Sequence, residues 1–356
     1  MTIKQREWRG SSLTLRMCHR NRNQIVGCLT LLVICTFFSP TPIKSQEAAK
    51  PAADLKSAAP KDAAEKGDDT YSTRLFLTNV DGSEPKQLTV LPGFTSQGSP
   101  EWSRDGKLIC FDVWKMGGSV ATGQIAVVNA DGTKPRIIGE GVMPSFSPGG
   151  KRIAFSRASV GGVWITSLDE PDQEPVQLDA AGWGTSWAPD GRIAFAISNG
   201  GGRNLAVVDL VDGTRELLFD AQTSPYRSIY WNMAWSPDSK RIVFKGITRE
   251  GQVEVGVVDS RGEKFGHIRR PYSDVHESFT WSADGSRILV TKPCPERENL
   301  AQVYSFNPDK DEPLELLPKQ DPQRASTTAA SSPDGKQLVI SCLMPVALKV
   351  PAAKSP

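Results

Sequence analysis

The side chains able to do chemistry in this 356-residue chain are few and scattered. Beyond the first 45 residues there are two histidines, His267 and His276, and three cysteines, Cys110, Cys294 and Cys342. No Cys-x-x-Cys spacing occurs, and the histidines are too few to complete a zinc shell. The cysteines therefore read as small buried core residues, with one bridge, Cys110 to Cys342, left open. No Gly-x-Ser-x-Gly elbow is present, so a serine hydrolase of the α/β type is not expected. Asn79-Val-Asp81-Gly82, Asn129-Ala-Asp131-Gly132 and Asp209–Gly213 resemble half of a calcium loop. They lack its further acidic ligands and terminal Glu, and hairpin-turn chemistry accounts for them without metal. No cofactor is implied.

One segment is dense in interaction-prone side chains: residues 224–235, SPYRSIYWNMAW, with Tyr226, Tyr230 and Trp231 beside Arg227. Aromatics next to an arginine at a solvent-reachable rim are favoured hot-spot types. Packing inside a β-structure is the competing reading for the same residues.

The elements that position this segment come from a repeat. Its copies are 100–111 (PEWSRDGKLICF), 144–155 (PSFSPGGKRIAF), 185–195 (TSWAPDGRIAF), 233–244 (MAWSPDSKRIVF), 279–290 (FTWSADGSRILV) and 329–340 (AASSPDGKQLVI). The aromatic position falls at Trp102, Phe146, Trp187, Trp235 and Trp281, with Ser331 in the last copy. The spacings of 44, 41, 48, 46 and 50 residues suit a four-stranded propeller blade. Ser-Pro-Asp-Gly favours a type I turn, with glycine accepting a left-handed conformation at its end. Ser239 replaces that glycine in the fourth copy and should cost about 1 kcal/mol if it turns left-handed. The in-register tryptophans are expected between blades.

A second hairpin follows each of the first five cores, at 124–138, 162–178, 204–218, 253–268 and 302–317. The ends are complementary: 74–88 is a second hairpin without a core, and the last core, ending at Cys342, has no second hairpin. Splicing them gives an all-β, six-bladed propeller over 71–345, closed by pairing N-terminal strands with the last blade.

The Trp-Ser-Pro-Asp-Gly-Lys-x-Ile-Ala-Phe cores followed by Asn-x-Asp-Gly turns resemble the TolB-type WD-like propeller repeat. The resemblance covers about 275 residues and implies the fold. Its namesake binds protein partners in the periplasm through a propeller that follows an α/β domain. Similar propellers gate prolyl oligopeptidase-like hydrolases and scaffold oligogalacturonate lyases, so the fold does not choose a role. A lyase of that kind would need several metal-binding histidines. The resemblance also implies that the aromatic strand lines the channel, placing the preceding residues at one mouth. These include Gln97, Ser99, Glu101, Met143, Trp183, Arg227, Tyr230, Trp231, His276, Glu277 and Thr327. The candidate binding residues are Trp231, Tyr230, Arg227, His276, Glu277, Trp183 and Glu101.

The N-terminus reads as an export signal. A basic stretch ending at Arg22 precedes the apolar run from Ile25 to Phe38, too short for a comfortable membrane span. Cleavage is expected after Ser45, with Met17 as an alternative start and an uncleaved signal anchor as the rival. Ile25-Val26-Gly27-Cys28 has its apolar run after the cysteine, unlike a lipoprotein box. Residues 46–70, rich in Ala, Lys, Asp and Pro, read as a disordered spacer, and 346–356 as a tail. Seven basic residues against one acid give 1–45 a charge of +6, which leaves about −4 of the overall +2 for the rest. Such a body has no electrostatic reason to seek nucleic acid. The expectation is an exported, non-enzymatic propeller that binds protein at its channel mouth, periplasmic or secreted, touching membrane only through an uncleaved leader. A carbohydrate- or small-ligand-binding propeller is the alternative.

Overall fold

The computed structural model describes residues 71–199, 202–294 and 297–345. The leader, the spacer and the tail lie outside the described residues. Among the described residues twenty-four strands form six four-stranded antiparallel sheets. Strands β1 (Tyr71–Asn79) and β2 (Lys86–Gln87) precede the first complete blade. Blade 1 holds β3 (Ser96–Trp102), β4 (Leu108–Trp114), β5 (Gln124–Asn129) and β6 (Arg136–Glu140). Blade 2 holds β7 (Val142–Phe146), β8 (Arg152–Ser156), β9 (Val163–Ser167) and β10 (Val176–Asp179). Blade 3 holds β11 (Gly182–Trp187), β12 (Ile193–Asn199), β13 (Gly202–Val208) and β14 (Arg215–Leu217). Blade 4 holds β15 (Tyr226–Trp235), β16 (Arg241–Thr248), β17 (Val253–Asp259) and β18 (His267–Arg270). Blade 5 holds β19 (Phe279–Trp281), β20 (Ile288–Cys294), β21 (Arg297–Phe306) and β22 (Glu315–Leu316). Blade 6 is spliced: β23 (Ser326–Ser331) and β24 (Gln337–Pro345) pair with β1 and β2 in the order β2-β1-β24-β23. The β1–β24 register runs unbroken from Tyr71↔Pro345 to Asn79↔Gln337 and closes the ring. Adjacent first strands touch all the way round, from β3 through β23 and back to β3. Among the described residues no helix is long and apolar enough to cross a membrane.

The hairpin turns follow from their residues. In blade 1 the Ser103 hydroxyl donates to Asp105 Oδ1 (2.7 Å) and accepts from Leu108 N (2.9 Å), locking the turn from inside. The same pair of bonds recurs at Ser236 and Ser332. Ser239, where other copies have glycine, adopts φ 61° as expected. Its hydroxyl recovers part of the cost by accepting from Asp190 N of blade 3 (3.1 Å).

The core is divided among the six seams between blades. Trp102 packs with Leu75 and Val339 between blades 6 and 1, and Phe146 with Cys110 and Ile125 between blades 1 and 2. Trp187 packs with Ala154 and Val163, Trp235 with Leu205, and Trp281 with Val243 and Val255. The tryptophans are thus inter-blade core, and those of blades 3, 4 and 5 carry a guanidinium from the preceding blade. Arg152 lies 5.2 Å from the Trp187 ring centre, Arg192 4.9 Å from Trp235 and Arg241 4.9 Å from Trp281. Cys110 and Cys342 are buried free thiols in different seam clusters, so the open question of a bridge is answered against one.

Polar bonds also cross every seam beside the channel. The Trp102, Trp235 and Trp281 indoles donate to the carbonyls of Ala330 (3.2 Å), Ser186 (2.9 Å) and Ala234 (3.1 Å) in the preceding blades. At the other three seams a side chain accepts from a channel-edge amide instead. Phe146 N donates to Glu101 Oε1 (2.8 Å), Trp187 N to Ser145 Oγ (2.8 Å) and Ser331 N to Thr280 Oγ1 (3.2 Å). Trp235→Phe keeps the buried ring and removes only the N–H. It should cost about 1–3 kcal/mol in urea unfolding, because Ser186 O loses its partner.

Candidate functional site

The first strands of the blades line an axial channel with two unlike ends. The Ser-Pro-Asp-Gly turns surround one end, the turn mouth. The loops joining blades surround the other, the loop mouth. A wide cavity of about 410 Å³ opens toward the turn mouth, past Arg104, Pro148 and Pro237. A narrower one of about 100 Å³ lies toward the loop mouth, between Ser99, Met143, Trp231 and Ser278. Glu101, Met233 and Phe279 line both.

In five blades the second strand sends one more side chain across the seam near the loop mouth, from the position after its phenylalanine or the equivalent residue. Asp112 Oδ2 accepts from Met143 N (2.9 Å), and Ser156 Oγ from Gly184 N (2.8 Å). Lys245 Nζ donates to Val275 O (2.6 Å), Thr291 Oγ1 to Thr327 O (3.0 Å) and Ser341 Oγ to Gln97 O (2.7 Å). All five are buried, each directly after a run of buried apolar residues. The sixth, at the seam between blades 3 and 4, is Ala196. A methyl can make no such bond, and this seam is where the aromatic segment lies.

There β15 loses register between Ile229 and Met233, leaving Tyr230, Trp231 and Asn232 out of the ladder. Such a bulge re-aims side chains. Trp231 is half-buried, rests on the blade 3/4 core cluster and has the Arg203 guanidinium 5.2 Å from its ring centre. Its carbonyl would lie 2.0 Å from a β-carbon on Gly184, whose φ is +68°. Only glycine satisfies both conditions, so Gly184 allows Trp231 to approach. Tyr230 lies 6.0 Å from the Trp231 ring and has Lys245 Nζ 5.2 Å over its own. Lys245 also lies 3.9 Å from Glu277 Oε1. Burial lowers the Lys245 pKa, against the opposing pull of Glu277 and Asp274.

His276 continues this chain into blade 5. Its N–H donates to Thr291 O (2.8 Å), and its Nδ1 lies 3.1 Å from Thr291 Oγ1. The Thr291 hydroxyl proton is used on Thr327 O, which assigns the imidazole proton to Nδ1 and leaves Nε2 as an acceptor. Burial lowers the His276 pKa first, Lys245 adds to that, and Glu277 opposes it. Trp183 is half-buried opposite Ala196, on the blade 3 side of the same seam. Arg227 is exposed at the start of β15, with its carbonyl against Gly202.

The structure therefore brings Trp183, Tyr230, Trp231, His276 and Glu277 onto neighbouring blades, with Arg227 further out. Glu101 stands apart on blade 1, in the channel wall, where it ties blade 2. It accepts from Phe146 N and from Ser145 Oγ (3.1 Å). Desolvation pushes it up to about 7 against the pull of those two bonds. Gln97 is buried in the closing seam, holding Leu75 N with its side chain. Sequence reasoning passed over Lys245, Arg203, Asp112 and Arg104. The sign for Lys245 and Asp112 was a charged residue at the same step of an apolar strand in two copies. The aspartates of the Asp-Gly turns are used locally: Asp81 Oδ1 accepts from Ser83 N (3.0 Å) and Asp131 Oδ1 from Thr133 N (2.9 Å).

Glu101 gives a pH signature. Its folded pKa, about 7, lies above the usual glutamate value, so the folded chain holds the proton more tightly than the unfolded one. That contribution is complete below pH ~4.5 and is lost as pH rises through about 7. Burial likewise raises Asp112, to about 6, while His267 is lowered to about 4 and acts in the opposite direction. Glu101→Gln keeps an acceptor for Phe146 N. Between pH 5 and 8 the wild type should therefore lose on the order of 2 kcal/mol relative to this variant, measured by urea titration.

No family model matches the chain, and no curated relative does. Solved structures share its fold. It is similar to TolB from Acinetobacter baumannii, at 16% identity and a TM-score of 0.53, over 76% of this chain and 63% of that one. The chain thus spans less than two thirds of that TolB's length. It is also similar to a chain of a nidogen/laminin complex, at 10% identity and a TM-score of 0.51, over 68% of this chain and 93% of that one. A Pyrococcus horikoshii acylaminoacyl peptidase overlaps at 16% identity and a TM-score of 0.41.

Proposed function

We propose that this chain is an exported, non-enzymatic propeller that binds a segment of a protein partner at its loop mouth, over the seam between blades 3 and 4. The observation carrying this reading is the one seam whose second strand has an alanine at the step where the other five have a bonding side chain. Five seams are tied by a buried polar side chain near that mouth; at the sixth, Ala196 is paired with Trp183 and Trp231 lies against Gly184, with Tyr230 beside Lys245 toward blade 5. Trp231 is the anchor, Arg203 and Lys245 stiffen the aromatics, and Arg227 with Glu277 forms a charged rim. Half-buried aromatics on rigid strands bring large contact area at small entropic cost. The nidogen/laminin structure is itself a complex of two proteins, which agrees with a propeller used for binding.

In the same proposal residues 1–45 direct export, 46–70 form a spacer, 71–345 are the propeller and 346–356 a tail. The product is periplasmic or secreted. N-terminal sequencing of secreted or envelope protein should give residue 46, and material beginning ahead of Ile25 would establish a retained anchor. Capture from the native envelope with tagged full-length chain should return a reproducible protein. Trp231→Ala should weaken that capture at least about tenfold while moving the melting temperature by only a few degrees. Undiminished capture by the variant removes the loop mouth as the site. A panel of glycans that raises the melting temperature, with no protein captured, would favour a carbohydrate ligand instead.

A further inference from the structure

At the turn mouth, where the wide cavity opens, one repeat carries a charged side chain at a turn position that is proline or alanine in the other five. The residue after the turn serine, or after the alanine that replaces it in blade 3, is Pro148, Pro189, Pro237, Ala283 and Pro333 in blades 2 to 6. In blade 1 it is Arg104. This side chain is exposed, and its Nη2 reaches Pro237 O at 3.4 Å on blade 4, the blade directly across the ring. Arg104 thus stretches over the mouth of the cavity. The bond is long and so weak, and a guanidinium has several more donors to offer. Arg104 makes no ion pair among the described residues. Beneath it the wall is apolar at Met233 and Phe279, and further in it carries the Glu101 carboxyl.

We propose that the turn mouth is a binding site for a single carboxylate carried on an uncharged body. Arg104 exchanges its weak bond to Pro237 O for a two-pronged pair with the carboxylate, the geometry for which guanidinium is suited. The body enters the cavity of about 410 Å³ and packs on Met233 and Phe279, a volume within the range of small-ligand pockets. Among the residues lining the cavity Arg104 is the one cation and Glu101 the one carboxyl, and with the turn aspartates around the mouth this suits a single negative charge and repels a polyanion. A peptide C-terminus and a free short-chain organic acid share this chemistry.

The test titrates full-length protein with acetyl-Ala-Ala, its C-terminal amide and propionate, by calorimetry. The same titration is run on Arg104→Pro, which restores the residue that four of the other turns carry. Proline at that turn position is favoured, so the variant should melt at the same temperature or higher. The account expects acetyl-Ala-Ala to bind at least about tenfold more tightly than its amide, and Arg104→Pro to lose at least about tenfold in that affinity. Propionate binding as well as the peptide acid assigns the site to a free acid, and weaker propionate assigns it to a chain terminus. Equal binding of acid and amide, undiminished binding to Arg104→Pro, or no saturation by either acid below about 10 mM overturns the proposal.

Discussion

The structure depends on what is done with the free edge of each blade's first strand. That strand pairs with its second strand on one side only, and its other edge faces the channel and the neighbouring blade. Amides and carbonyls left there without water would each cost one to a few kcal/mol. The chain answers with bonds contributed across each seam. An indole or a Glu, Ser or Thr side chain serves the middle of the channel at all six seams. A second set of buried Asp, Ser, Lys, Thr and Ser side chains serves the loop-mouth end at five. Apolar seam packing supplies the bulk of the burial, while these bonds set the angle and spacing at which blades meet.

Both proposed sites lie where this scheme or the repeat is interrupted. Near the loop mouth, the seam with Ala196 instead of a polar residue is filled by a bulged strand, by Trp231 seated on Gly184 and by stacked Arg203. At the turn mouth, the proline that closes four other turns gives way to Arg104. The two proposed sites thus lie at opposite ends of one channel, one aromatic and one cationic. Each sits where the repeat departs from its own pattern, as expected when a scaffold's regularity yields to binding.

The fold was legible because the repeat was. Six cores, the hairpin period and the half-units at each end implied both blade number and closure, and the β1–β24 pairing agrees. The left-handed Ser239 and the inter-blade tryptophans could also be read from position alone. The site was less so. Trp231 and Tyr230 stood out by type, but their placement depends on a bulge that recurs at the same step of β3, β7 and β11 and is one residue longer in β15. Glu101 was grouped with the mouth because it precedes Trp102, and the structure places its carboxyl against Phe146 N in the wall. Lys245 was overlooked because a lysine in a strand reads as solvent-facing unless the step after Phe is compared across all six copies.

The measurement that goes most directly to the seam bonds is hydrogen exchange at the channel-edge amides of Phe146, Trp187 and Ser331. None has a strand partner for its N–H, and each has a side chain from the preceding blade. If those bonds hold the ring, the three amides exchange only as the whole propeller unfolds, at rates matching the buried strands β4 and β12. Exchange as fast as that of the exposed turn residues would contradict the account, and would mean that packing alone positions the blades.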